Sequence, residues 1–172
     1  MPMNFASSAS KWMKIALASH FFGTLMFLVG FSTYAWLQET LKGNTISVGL
    51  WKTRSCDRNG GCITFDSVSS HSQDWFKACQ ALEILGLIAL LLAFIILFLY
   101  MFVETCRGRN ALLAIMICTF AGVAFIIIGV IIFNTKKGSS LYEIGWSMGL
   151  AIAGAVFAFI AGVMVVLGYL GK

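Results

Sequence analysis

Four long apolar blocks, separated by polar segments of unequal length, divide the chain. They run from Ile15 to Trp36, Gln80 to Val103, Ala111 to Phe133 and Trp146 to Leu170. A helix crosses the hydrocarbon core with about 20 mainly apolar residues, so each block is long enough to span a bilayer. Between them lie a long first loop (37–79), a tight turn (104–110) and a short second loop (134–145). Trp12, Trp36, Trp75 and Trp146 fall at block ends, as do Tyr34, Tyr100, Tyr142 and Tyr169. Amphipathic rings prefer the headgroup level, so this placement supports the same map. Trp51 stands apart, in the middle of the first loop. The pattern predicts an all-α membrane protein whose single domain, 1–172, is a four-helix transmembrane bundle. The first block, preceded by Lys11 and Lys14, also has the outline of a signal peptide. Its apolar core is long for that, and no A-x-A site follows, so a retained helix is expected.

The first loop has a different rhythm. NTISVGLWKTRSC is rich in β-branched and bulky residues, and CITFDSVSS resumes that character after DRNGG. The Asn59-Gly60 pair favours the positive φ angles of a tight hairpin turn. A hairpin would bring Cys56 and Cys62 onto neighbouring strands. A structural disulfide is the favoured reading; it closes a small loop and contributes roughly 2 kcal/mol. A zinc site would need more ligands than the nearby His71 adds, and redox catalysis would prefer C-x-x-C to this wider spacing.

Composition narrows the classes. Of 172 residues, 59% are hydrophobic and 11% charged, too few polar groups to cover a water-soluble domain. The net charge of +5 is spread over loops. No basic run interleaved with aromatics is present, so no nucleic-acid partner is expected; the lipid bilayer is. Four spans put both termini on one side. Basic residues do not decide which side: Lys11, Lys14, Arg107, Arg109 and Lys172 face Lys42, Lys52, Arg54, Arg58, Lys77, Lys136 and Lys137. A cysteine pair in the first loop suits an oxidising compartment, which places that loop outside and both termini in the cytosol.

At this point the residues carry a resemblance. Trp36, then Gly49-Leu50-Trp51, then Cys56 and Cys62, in the first loop of a four-span chain, resemble the W-GLW-C-C signature of the claudin and peripheral-myelin/epithelial-membrane-protein superfamily. ITFDSVSSHSQDWFKACQALEIL, from Ile63 to Leu85, is similar to that family's run into span two. SLYEIGWSMGLAIAGAVFAFIAG, from Ser140 to Gly162, is similar to its start of span four. There are departures. Cys56 follows Trp51 by five residues where claudins usually have three, and the two cysteines are closer together. Gln80 stands where an arginine is common, and Gly171-Lys172 lacks a scaffold-binding tail. The resemblance implies a left-handed bundle carrying a small extracellular antiparallel β-sheet, with Trp51 packing sheet against helices. Trp51 as a partner hot spot is the competing reading.

Gly145-x-x-x-Gly149 opens span four and suits close helix packing, within the bundle or between copies. Gly23, Gly30, Gly122 and Gly129 suit packing within it. His20 and Glu83, each near the start of its span and so at opposite ends of the bundle, are ionisable groups that snorkelling or a local hydrogen bond would satisfy. Cys106, beside Arg107 and Arg109, is a candidate palmitoylation site; Cys79 and Cys118 read as small buried residues. Asp66, Ser67, His71 and Asp74 contain hydrolase ingredients but no nucleophile elbow or oxyanion loop, so no enzyme and no cofactor or metal site is expected. Transport is poorly supported, with no broken span and no charged path through spans three and four. The large loop of a tetraspanin is missing between those spans.

The expected function is therefore structural. The chain would sit in the plasma membrane, at cell–cell junctions, and associate laterally as a homo-oligomer or with a membrane-protein partner. Lys52, Arg54, Asp57 and Arg58 would set the charge of the extracellular contact. The alternative is an auxiliary subunit of an ion channel or receptor, which co-purification in mild detergent would distinguish.

Overall fold

The computed structural model describes residues 11–41, 43–67, 73–136 and 143–170. Four helices are long and apolar enough to cross a membrane: α1 (Lys11–Ser32), α2 (Asp74–Phe102), α3 (Arg109–Thr135) and α4 (Trp146–Tyr169). Strands β1 (Leu37–Leu41), β2 (Asn44–Val48), β3 (Lys52–Cys56) and β4 (Cys62–Asp66) lie between α1 and α2, and β5 (Glu143–Ile144) precedes α4.

The helix limits differ from the apolar blocks for local reasons. α1 begins four residues before Ile15 and ends at Ser32, not Trp36. At its end the Ser32 hydroxyl donates to the Leu28 carbonyl, and that of Thr33 to Val29, both at 2.8 Å. These are bonds back to the preceding turn; among the last four carbonyls, which a helix end leaves without a partner further along, that of Gly30 accepts from the Trp36 indole at 2.8 Å. Beyond them the Trp36 N–H turns to the Val48 carbonyl, 3.0 Å away, and the chain enters the sheet. α2 begins six residues before Gln80, with Asp74 in its first turn, where a negative charge suits the helix dipole. Its 29 residues span roughly 43 Å at 1.5 Å per residue, more than the ~30 Å hydrocarbon core. The excess carries Trp75 and Phe76 up to the sheet.

The sheet runs β4-β3-β2-β1-β5, with every pair antiparallel. No strand is expected from the sequence of the second loop. β5 nevertheless pairs Ile144 with Leu37 and Glu143 with Gln38, so both loops build one sheet. The face carrying Leu37, Val48 and Thr53 is buried. The core beneath it gathers Trp36, Leu50, Phe76, Phe133 and Met148. A second cluster at the opposite end of the bundle holds Met13, Leu97, Leu112, Ile115 and Val165.

Small residues bring the helices together. α1 packs chiefly on α4, and α2 on α3. A Cβ on Gly154 would lie 2.7 Å from the Gly23 carbonyl oxygen, and one on Gly30 would lie 2.6 Å from that of Ser147. Backbones that close have no room for a side chain, which is the small-residue mode of membrane packing.

Candidate functional site

The loop between β2 and β3 is the sequence Gly49-Leu50-Trp51. It is closed by the Gly49 N–H donating to the Lys52 carbonyl at 3.1 Å. A Cβ on Gly49 would lie 2.5 Å from the Tyr34 Cα, so the loop sits directly on the end of α1. Leu50 is fully buried, and the Gln80 side-chain amide donates to its carbonyl at 2.6 Å. The Ser67 hydroxyl donates to the Gly49 carbonyl at 2.9 Å, and the Ser67 N–H to the Trp51 carbonyl at 3.0 Å. Trp51 is half-buried, its ring edge-on to Phe31 of α1 at 5.2 Å.

Trp36 holds the other half of this junction. Its place at the end of an apolar block suits the headgroup belt, but its indole is fully buried. Its N–H donates to the Gly30 carbonyl at 2.8 Å, and its ring meets Phe133 edge-on at 5.3 Å. A tryptophan is buried only where its one donor finds an acceptor, and here α1 supplies it. Beside it, the Ser147 hydroxyl of α4 accepts from the Ala35 N–H at 3.1 Å and lies 2.8 Å from the Thr33 hydroxyl, to which it can donate. The Ser147 N–H returns a bond to the Ala35 carbonyl at 3.0 Å. Gly145 donates to the Trp36 carbonyl at 2.9 Å.

The far end of the sheet is the disulfide tip. Cys56 and Cys62 face each other across β3 and β4 and are bonded, with Cα atoms 4.1 Å apart. The Gly60 N–H donates to the Asp57 carbonyl at 3.0 Å, and Gly60 has the positive φ (84°) that the turn requires. Lys52, Asp57 and Arg58 are exposed. Arg54 is not a free contact charge: it is half-buried, and its guanidinium donates to the Tyr34 hydroxyl at 2.7 Å. β4 is exposed along its whole length, and Ile63 and Phe65 are 71% and 40% exposed. By register they share the face that elsewhere carries Thr53 and Val48, so β4 overhangs the bundle.

The sequence profile of the PMP-22/EMP/MP20/Claudin family matches residues 10–165. The chain belongs to this family. No curated protein sequence matches it.

In this claudin-family chain the motif residues Trp36, Gly49, Leu50 and Trp51 all meet at the joint between sheet and bundle. The position where the resemblance expects arginine carries Gln80, whose amide N–H is spent on Leu50. Ser67 is held by Gly49 and lies 2.8 Å from the Thr53 hydroxyl, as part of the joint. His71 lies outside the described residues. Sequence reasoning missed the role of Ser147 and of β5. A short polar residue after Gly145-Trp146 was the only local signal for the first, and a two-residue strand leaves no alternation to read for the second.

The helices correct three further expectations. Gly145 and Gly149 do not act as a pair. A Cβ on Gly145 would collide with the Ala35 carbonyl, whereas Gly149 is exposed with nothing within 4 Å of that position. Glu83 does not snorkel: it is fully buried within α2, its carboxyl lies against Gly129 of α3, and among the described residues neither oxygen has a hydrogen-bond partner. Cys118 is only half-buried, unlike Cys79. His20, buried in mid-α1, has ring nitrogens 3.3 Å from the Thr119 hydroxyl and 3.2 Å from that of Thr24. Cys106 is a half-buried free thiol in the turn Glu104–Cys106.

Proposed function

We propose that the chain organises plasma-membrane contacts between cells. It associates laterally through its helices and across the intercellular gap through its sheet, and performs no catalysis. The sheet then faces outside and both termini face the cytosol. The Cys56–Cys62 disulfide supports this orientation, because such bonds persist in oxidising compartments.

The observation that carries the reading is the outer edge of the sheet. Among the described residues no strand pairs with the open side of β4, and Ile63 and Phe65 stand exposed on it. An edge with apolar side chains is a template for joining another chain. Lys52, Asp57 and Arg58, exposed nearby, give the contact a charge pattern that selects partners. The firm joint beneath, built on Trp36, Leu50 and Gln80, presents this edge in a fixed pose.

The test is expression in cells that otherwise form no tight contacts. The protein should concentrate where two expressing cells meet. Replacing Ile63 and Phe65 together by lysine should abolish that enrichment while delivery to the surface continues. Undiminished enrichment of the double variant would sink the proposal. A large channel or receptor co-purifying in fixed stoichiometry would replace it with an auxiliary-subunit role.

A further inference from the structure

Because α1 packs on α4 and α2 on α3, contacts between α1 and α2 themselves are sparse. The cleft between them opens on the lipid side. Two adjoining apolar grooves fill it. The smaller, about 170 Å³, is lined by Phe21, Thr24, Leu28 and Phe94 among others. The larger, about 440 Å³, shares Phe21 and Phe94 and continues past Phe98 and Phe102 to Lys14. Phe94, Phe98 and Phe102 stand on successive turns of α2, with neighbouring ring centroids 6.4 and 4.5 Å apart.

Charge gathers at one end only. Lys14 is the sole charged residue lining either groove among the described residues. Lys11 is one turn away on the same helix. Arg107 reaches back to the Met101 carbonyl at 3.3 Å, and Met101 also lines the larger groove. Among the described residues Glu104 is the one acid at this end of the two helices. Three basic groups against one acid leave the mouth positive.

We propose that this groove binds one anionic phospholipid, with an acyl chain along Phe21, Phe94 and Phe98 and the phosphate at Lys14. The volume lies within the roughly 300–1,000 Å³ of sites that hold small ligands. A lysine at a helix end extends toward the headgroup layer, and basic pockets between spans favour lipids of net negative charge over zwitterionic ones. On the orientation proposed above, the mouth opens to the cytoplasmic leaflet, where anionic lipids concentrate. The site itself depends neither on that orientation nor on the adhesive role.

The full chain, purified and stripped of lipid in mild detergent, is incubated with equal amounts of phosphatidylserine and phosphatidylcholine and analysed by native mass spectrometry. Wild type should retain phosphatidylserine preferentially. Lys14→Gln should cut that preference about fivefold, the weight of one basic group at a membrane surface. Ala18 also lines the larger groove and is exposed, so Ala18→Trp, which fills the groove, should remove retention of both lipids. Ala18→Leu repeats the test if the tryptophan variant is not monodisperse and helical. Equal retention of the two lipids by wild type overturns the proposal. So does an unchanged preference in Lys14→Gln, or unchanged retention in a folded Ala18 variant. Displacement by soluble glycerophosphoserine would also overturn it, showing a phosphate site that needs no acyl chain.

Discussion

The side-chain amide of Gln80 in α2 donates to the main-chain carbonyl of Leu50, 2.6 Å away, in the loop between β2 and β3. Both residues are buried. A buried carbonyl deprived of its donor keeps the full cost of leaving water, about 1–3 kcal/mol. Gln80→Leu should therefore lower stability by that amount in chemical denaturation of the detergent-solubilised protein. Gln80→Arg keeps donors at the position and should lose less. Equal losses in the two variants would show that packing, not the bond, matters there.

Trp36 and Trp51 should separate by energy. Trp36→Ala empties a fully buried site and should cost about 3–5 kcal/mol. Trp36→Phe removes the bond to Gly30 with little change of packing, and the Thr33 hydroxyl, 3.2 Å from that carbonyl, spends its one proton on Val29 at 2.8 Å, so about 1–3 kcal/mol should be lost. Trp51→Ala should cost less than Trp36→Ala, because its ring is half-exposed and rests mainly on Phe31. Thermal unfolding followed by circular dichroism checks the order.

The glycines of α4 offer a sharper contrast. Gly154→Leu forces α1 away from α4 at Gly23 and Phe27 and should cost at least ~3 kcal/mol or prevent folding. Gly149→Leu points into open space and should stay within about 0.5 kcal/mol of wild type. Loss of a detergent-stable dimer in Gly149→Leu with unchanged stability would assign that face to contact between copies.

Serine at both Cys56 and Cys62 should lower stability by only about 2 kcal/mol, because the closed loop is short. In intact cells a membrane-impermeant thiol reagent should label these cysteines only after reduction. Labelling only after permeabilisation would reverse the proposed orientation.

The four spans and the disulfide hairpin were legible because each rests on a local pattern: an apolar run, or paired strands about an Asn-Gly turn. The roles of Trp36 and Gly149 were not. A tryptophan at the end of an apolar run looks the same in sequence whether it meets lipid headgroups or Phe133, and only the turn of the chain after Ser32 decides. Gly145 and Gly149 share the spacing of a packing motif. α1 approaches α4 along Gly154, Ala155 and Ala158 instead, leaving Gly149 outward. Glu83 reads as a snorkelling acid only if α2 starts at Gln80; six more residues of helix bury it. The joint through Gln80 and Ser147 links segments far apart in the chain, which no local pattern records.

The pairing of β5 with β1, with Ser147 beside it, has a consequence for how the chain is made. α1 has its main neighbour in α4, which is synthesised after α2 and α3, and β1 gains its second partner only when β5 has been made. Contacts between residues so distant in sequence form late. A nascent chain that stops after α3 would carry a sheet with one side of β1 unpaired and an α1 without its glycine seam. The five-stranded sheet and the glycine seam of α1 are thus completed only once β5 and α4 are in place.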